Sequence, residues 1–288
     1  MERVSVVTGG GSGIGKAIAK MLGKETIVVI TGRTKEKLEG CVTELKAQGC
    51  KVIAYACDVS NRESVKKLAA YCASLGEIIK VVHAAGVSGT MGSPESIIRI
   101  NALGTVYVNQ EFYKVMHGGC IVDVASDSGY AIPKLFVAHK AFPLCVTDEE
   151  KFVKKMVSRS KILHNEVINP QFAYMGSKRF AIWYAKKCAF KYMRTKGIRV
   201  VSVSPGFVQT PMTEAEEGEG TRVFLSYTGE GRGATPEEVA FCIASVLDER
   251  NRFLYGTDII CDGGCVGAEY SFANATKEKD LLECELGW

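Results

Sequence analysis

Tyr174 and Lys178 stand four residues apart in Tyr174-Met175-Gly176-Ser177-Lys178. In a helix that spacing puts both on one face, about 6 Å apart. A free phenol has a pKa of about 10 and is a poor base at neutral pH. A nearby ammonium favours the phenolate and brings the phenol towards the range where acid–base catalysis is efficient. Spacing alone does not single the pair out, because tyrosine and lysine four apart are common on helix surfaces. A second cluster reverses those odds. Thr8-Gly9-Gly10-Gly11-Ser12-Gly13-Ile14-Gly15 lies between an apolar run and a helical pattern. Glycines at a strand-to-helix turn let backbone N–H groups approach a pyrophosphate, and the helix N-terminus adds a favourable field. A tight turn without a ligand is the plainer reading, but a preceding strand and a following helix are the context a dinucleotide loop requires.

These groups need a scaffold, and the pattern of the chain supplies one. Short β-branched runs are expected as strands at Val4–Thr8, Thr26–Thr31, Lys51–Ala56, Ile79–His83, Cys120–Ala125, Arg199–Ser204 and Thr257–Cys261. Helical periodicity falls between them, at Ile14–Leu22, Lys35–Gln48, Arg62–Leu75 and Phe172–Tyr192 among others. The strands are apolar throughout rather than alternating, as burial on both faces of a parallel sheet demands. Alternating strands and helices imply βαβ units with right-handed crossovers. The expected fold is a single α/β domain over 1–288, doubly wound around a parallel seven-stranded sheet.

Two stretches interrupt the rhythm. The segment at about 130–172 is far longer than an ordinary loop. Within it Thr147 and Glu150 have capping-box spacing, ahead of a helix with Phe152, Val153, Met156 and Val157 on one face. Thr213–Gly233, rich in glycine and glutamate, reads as a mobile loop, and a tail at about 269–288 extends past the last strand.

Composition removes other classes. The chain of 288 residues is 47% hydrophobic and 24% charged, with 36 Lys+Arg against 32 Asp+Glu. That is neither a disordered nor a collagen-like polymer. A charge of +4 without a basic run does not argue for nucleic acid. Eleven scattered cysteines, an odd number without a CxxC, read as free thiols of a reducing cytoplasm rather than disulfides or a metal site. The expectation is a soluble cytoplasmic protein without a signal peptide, membrane span or metal.

The glycine spacing is T-G-x-x-x-G-I-G, and here the chain resembles the short-chain dehydrogenase/reductase family, which implies a Rossmann fold and a nicotinamide cofactor. The resemblance extends along nearly the whole chain. Asp58-Val59 is similar to the family's adenine-contacting pair. Ala84-Ala85-Gly86 is similar to the end of its N-N-A-G motif, with His83 and Ala84 in place of both asparagines. Pro205-Gly206 with Val208 and Thr210 matches the segment that holds the nicotinamide carboxamide, and Asp262-Gly263-Gly264 matches the closing strand. The resemblance implies that Tyr174 donates or accepts the proton and that Lys178 holds the nicotinamide ribose and tunes the tyrosine. It implies that Ser126, rather than Ser128, stabilises the substrate oxygen, since Gly129 follows it by three residues, and that Asn101 carries a proton relay to the lysine. Gln171 sits seven before Lys178, where enoyl-reducing relatives carry the tyrosine, so the resemblance disfavours that reaction.

Charge suggests which cofactor. An acidic residue at the end of the second strand would hydrogen-bond the adenosine ribose and repel a 2′-phosphate. That position is Gly32, followed by Arg33 and Thr34. A guanidinium beside the ribose suits a phosphate dianion, with the Thr34 hydroxyl in support. Arg33 facing solvent is the alternative. The expectation is NADP(H) over NAD(H), bound by Gly9, Ser12, Gly13, Ile14, Gly15, Arg33, Thr34, Asp58, Val59, Ala85, Gly86, Tyr174, Lys178, Pro205, Gly206, Val208 and Thr210.

Tyr174 stands 45 positions after Gly129, and Asn101 only 15 after Gly86. That combination resembles the bacterial 3α-hydroxysteroid dehydrogenase/carbonyl reductase subgroup, which has a helical insertion before its tyrosine. Leu135, Phe136, Phe142, Pro143 and Leu144, with Met212, Phe224, Leu225 and Tyr227, would either cover a flat apolar substrate or pack the insertion onto the domain or another subunit. The expected activity is a hydroxysteroid dehydrogenase, bile-acid substrates included. A carbonyl reductase of a smaller ketone and a catalytically silent NADP sensor are the alternatives. The expected partners are a small apolar ketone or alcohol and further copies of the chain, as a dimer or tetramer, with neither nucleic acid nor membrane.

Overall fold

The computed structural model describes residues 1–214 and 219–268. Seven parallel strands form one sheet: β1 (Arg3–Thr8), β2 (Ile27–Gly32), β3 (Val52–Ala56), β4 (Glu77–His83), β5 (Gly119–Val124), β6 (Ile198–Pro205) and β7 (Asp258–Cys261). Their order is β3-β2-β1-β4-β5-β6-β7. The chain therefore reverses its direction of travel between β1 and β4, and a crevice opens there at the carboxyl ends of the strands. All seven expected strands are present, with ends shifted by at most two residues.

Helices cover both faces. On one side α1 (Gly13–Leu22), α2 (Lys35–Ala47) and α11 (Pro236–Leu247) bury Ile18, Leu38, Leu45, Val239 and Ile243 against the sheet. On the other, α3 (Arg62–Leu75), α5 (Gly104–Val115) and α8 (Asn169–Lys196) bury Val65, Leu68, Phe112, Phe180 and Ala185. Strands clad on both faces explain their continuous apolar sequences. Between β4 and α5 the chain forms a short helix, α4 (Pro94–Ile97), and then a π-helical turn, Ile98–Leu103, that contains Asn101. Such wide turns concentrate at functional sites.

The long segment before α8 is folded onto the domain. It holds α6 (Ser128–Ala131), two 3₁₀ stretches (Lys134–Phe136 and His139–Val146) and α7 (Glu149–Ser160). Phe142 and Phe152 are fully buried, with rings 5.2 and 4.9 Å from that of Phe180 on α8. The cap of α7 lies one residue from the expected place. Asp148, not Thr147, accepts the Lys151 N–H, and Glu150 instead makes a bidentate ion pair with Arg99. The reading of Thr213–Gly233 as a mobile loop is also corrected. Helices α9 (Pro211–Glu214) and α10 (Glu219–Leu225) form there, and Val223 and Tyr227 are buried beside Cys265. Residues 215–218 of that segment and the tail at 269–288 lie outside the described residues.

Candidate active site

A cleft of about 290 Å³ runs along the carboxyl ends of the strands. Its floor on the β1 side is the glycine loop. Gly9 has φ +69°, and a Cβ there would lie 2.8 Å from the Ala84 carbonyl oxygen, so only glycine lets β1 turn this close to β4. Ser12 caps α1 without a side-chain bond, and the first turn of α1 carries no acidic residue. The helix therefore presents uncapped N–H groups and no opposing charge, as a phosphate requires. Gly9, Ser12, Gly13, Ile14 and Gly15 line the cleft, as do Arg33, Asp58, Val59, Ala85, Gly86, Pro205, Gly206, Val208 and Thr210. Arg33 is exposed and makes no ion pair among the described residues. Its charge is thus unclaimed at the mouth of the cleft.

On the β5 side Ser126, Tyr174 and Lys178 line the same cleft. β5 delivers Ser126 and α8 delivers the other two. A Cβ on Gly129 would lie 2.9 Å from the Arg179 nitrogen, so glycine at 129 lets the turn after β5 rest on α8. Lys178 Nζ donates to the Val124 carbonyl at 3.0 Å and lies 5.7 Å from the centre of the Tyr174 ring. Burial pulls the Lys178 pKa down to about 8, against the opposing pull of Asp123.

Asn101 is buried behind this group. Its side chain accepts the Val87 N–H at 2.9 Å and donates to the Val87 carbonyl at 2.9 Å and to Ser177 Oγ at 3.1 Å. It thereby ties the π-helical turn to the loop after β4 and to α8. A Cβ on Gly86 would stand 3.2 Å from Asn101 Oδ1 and 3.7 Å from Lys178 Nζ, so the three positions adjoin.

One register below the cleft a polar row crosses the sheet, with Thr8, His83, Asp123 and Ser202 as successive partners. The Thr8 hydroxyl accepts the Ala85 N–H at 3.1 Å and meets His83 Nδ1 at 2.8 Å. His83, where the family motif has asparagine, therefore still ties the end of β4 to β1. Burial, aided by Lys178, pushes its pKa down to about 3 and keeps the ring neutral. Asn109 Nδ2 donates to both oxygens of Asp123, at 2.8 and 3.0 Å. Burial nonetheless raises the Asp123 pKa to about 7.

One expected contact needs correction. Thr34 caps α2, is exposed, and is not among the cleft-lining residues, because its side chain leaves from the helix start and not from the strand end. Asn101, expected as a relay residue and not as a cofactor contact, lies buried behind the lining. Of the two readings left open for the apolar residues of the insertion, packing onto the domain is the one found, and they turn away from the cleft. Phe136 stacks on Phe172 at 4.1 Å, Phe142 is buried against α8, Leu144 packs on the same core, and Leu135 and Pro143 face solvent. From the later segment Met212 does line the cleft, whereas Phe224 lies 6.3 Å from Phe207 and Tyr227 is buried. Cys57, Val87, Ile100 and Thr213 also line it. Cys57 directly follows β3 and Val87 lies four residues past the end of β4, and the rule that ligands sit beyond strand ends could have found them. Ile100 carries no such local signal.

Among the described residues no helix is long and apolar enough to cross a membrane, no cluster could hold a metal ion, and Cys41 through Cys265 are free thiols.

Comparison with known proteins supplies the context. A family model described as short chain dehydrogenase matches residues 3–141, and one described as Enoyl-(Acyl carrier protein) reductase matches residues 135–266. The chain is 29% identical to the short-chain dehydrogenase/reductase bsc3 of Alternaria brassicicola, over 92% of this chain and 97% of that one. It is 27% identical to a 3beta-hydroxysteroid dehydrogenase of Mediterraneibacter gnavus, over 91% and 94%. A short-chain type dehydrogenase/reductase from Mycobacterium ulcerans superposes with a TM-score of 0.73 at 25% identity, covering 91% of this chain and 89% of that one.

Proposed function

From the premise that this chain belongs to the short-chain dehydrogenase/reductase family, whose members act on alcohol and ketone groups, we propose that it is an NADP(H)-linked dehydrogenase of a hydroxysteroid. The carrying observation is the convergence of Ser126, Tyr174 and Lys178 on one wall of a cleft whose opposite end holds the glycine loop and Arg33, which has no ion pair among the described residues. The glycine loop and the N-terminus of α1 would hold the pyrophosphate, and Arg33 the 2′-phosphate. Lys178 would hold the nicotinamide ribose. When bound, the nicotinamide supplies or accepts hydride.

The protein's own part is proton transfer and charge stabilisation. Tyr174 Oη gives its proton to the oxygen of the forming alcohol, and takes it back in oxidation. Ser126 Oγ hydrogen-bonds the same oxygen as negative charge develops on it. Lys178, with a pKa brought down to about 8, favours the tyrosinate and can pass a proton near neutral pH. Asn101 fixes the loop beside Lys178 and serves the relay that restores the proton.

The steroid assignment rests on the named relative and on apolar lining from Val87, Ile100 and Met212. A smaller ketone is the second reading, favoured by the insertion's packing away from the cleft. A panel containing a 3-oxo steroid and cyclohexanone, each with NADPH and NADH, separates the two by loss of nicotinamide absorbance. Tyr174→Phe is expected to abolish turnover while NADPH still binds; turnover near wild type would refute the assignment.

A further inference from the structure

Asp127 follows Ser126 directly and has no part in the roles above. It is 4% exposed. Its Oδ1 lies 3.1 Å from Ser126 Oγ and 3.5 Å from Ser128 Oγ. Its Oδ2 is buried with no hydrogen-bond partner among the described residues. Its N–H donates to the Pro205 carbonyl on β6, which brings no charge. The loop after β7 faces it with the Asp262 carboxylate and the Cys265 thiol. Asp262 is itself engaged by the N–H groups of Gly264 and Val266. No cation among the described residues pairs with Asp127.

A buried carboxylate with one bare oxygen and a second carboxylate opposite is an unfavourable species. The neutral acid is the fitting one, since it has a proton to donate and less charge to solvate. Burial, followed by Asp262, accordingly raises the Asp127 pKa to about 7, although the Ser126 bond pulls the other way. The charge state matters because Ser126 Oγ has a single hydrogen. It already accepts the Ser128 N–H at 3.2 Å.

We propose that Asp127 is a positioning residue for Ser126: as the neutral acid it donates to Ser126 Oγ and leaves the serine hydrogen for the substrate oxygen, and as the carboxylate it captures that hydrogen. The proposal rests on the role of Ser126 given above. Ketone reduction is then fastest below the Asp127 midpoint and declines as pH rises through about 7, before the loss of the Lys178 proton near 8.

Two measurements test this on the full chain. The first needs no ligand. In protein carrying [13C]aspartate, the Cγ resonance that disappears in Asp127→Asn is followed against pH. A midpoint near 7 is expected, and one in the ordinary aspartate range of about 4 overturns the proposal. The second follows kcat against pH for reduction of a 3-oxo steroid and of cyclohexanone by NADPH. Asp127→Asn keeps a donor beside Ser126 at every pH, so the alkaline limb should move up by about one pH unit. Asp127→Leu should lower kcat about tenfold across the range with KM for NADPH unchanged. An unmoved limb, or a leucine variant with the wild-type profile, overturns the proposal. If Ser126→Ala lowers kcat while the limb stays unmoved, only Asp127 is misassigned. If Ser126→Ala leaves kcat unchanged, the proposed function itself fails.

Discussion

The glycine loop after β1 and the segment between β5 and α8 flank the same sheet edge and use it differently. The loop gives the cleft backbone: Gly9, Ser12, Gly13, Ile14 and Gly15 form its floor, and side chains are largely removed there. The segment gives the cleft only its first two residues, Ala125 and Ser126. Its apolar side chains go into the core against α8, with Phe142 beside Phe180 and Trp183. Its acidic side chains tie α7 to the opposite helices. Glu149 meets Arg62 at 2.7 Å and the Tyr107 hydroxyl at 2.6 Å, and Glu150 holds Arg99 beside Asn101. One region is open because it must admit a ligand. The other is closed because it braces the helix that carries Tyr174 and Lys178.

Removing a brace should therefore cost stability and spare the cleft. Phe152 is fully buried against Phe180, and truncating a core phenylalanine costs about 3–5 kcal/mol. Phe152→Ala should lose about that much in urea unfolding while NADPH affinity, measured where the variant is folded, stays within about twofold. A tenfold loss of affinity would place the insertion in the cleft and break the contrast.

The converse experiment is Arg33→Ala. Its guanidinium is exposed and has no protein partner among the described residues, so the urea midpoint should not move. A hydrogen bond to a charged group is worth about 1.5–3 kcal/mol, roughly a tenfold to hundredfold effect. KM for NADPH should rise by such a factor, and KM for NADH should hardly change. Equal changes for the two cofactors would refute the phosphate assignment.

These regions also differed in how far the sequence disclosed them. The glycine loop and all seven strands were readable because their requirements are local: β-branched runs, and glycines where a Cβ would strike the next strand. The insertion was readable as a helix with Phe152, Val153 and Met156 inward, but its direction was not. Phe136, Phe142 and Leu144 look alike whether they cover a substrate or a core, and only long-range packing decides. Asp127 was silent because sequence shows neither burial nor a bare oxygen. The T-x-x-E spacing shows the limit in miniature. At Thr235 and Glu238 it forms a full capping box on α11. At Thr147 and Glu150 it does not, because Arg99 claims the glutamate and Asp148 takes the cap.

That cap offers the finest test of the bracing role. Asp148 Oδ1 accepts the Lys151 N–H at 3.0 Å, and helix α7 begins at the next residue with Glu149 and Glu150. Replacing a capping aspartate by alanine costs about 1 kcal/mol. If α7 only braces, Asp148→Ala should lose about that much in urea and leave kcat and both cofactor constants unchanged. The first turn is also where α7 grips Arg62, Tyr107 and Arg99, and Arg99 shares its π-helical turn with Asn101. Fraying at Asp148 would therefore reach the chemistry through Asn101 if it reached it at all. A fall in kcat of more than about twofold, with NADPH affinity intact, would show that the insertion sets the position of Asn101 as well as the stability of α8.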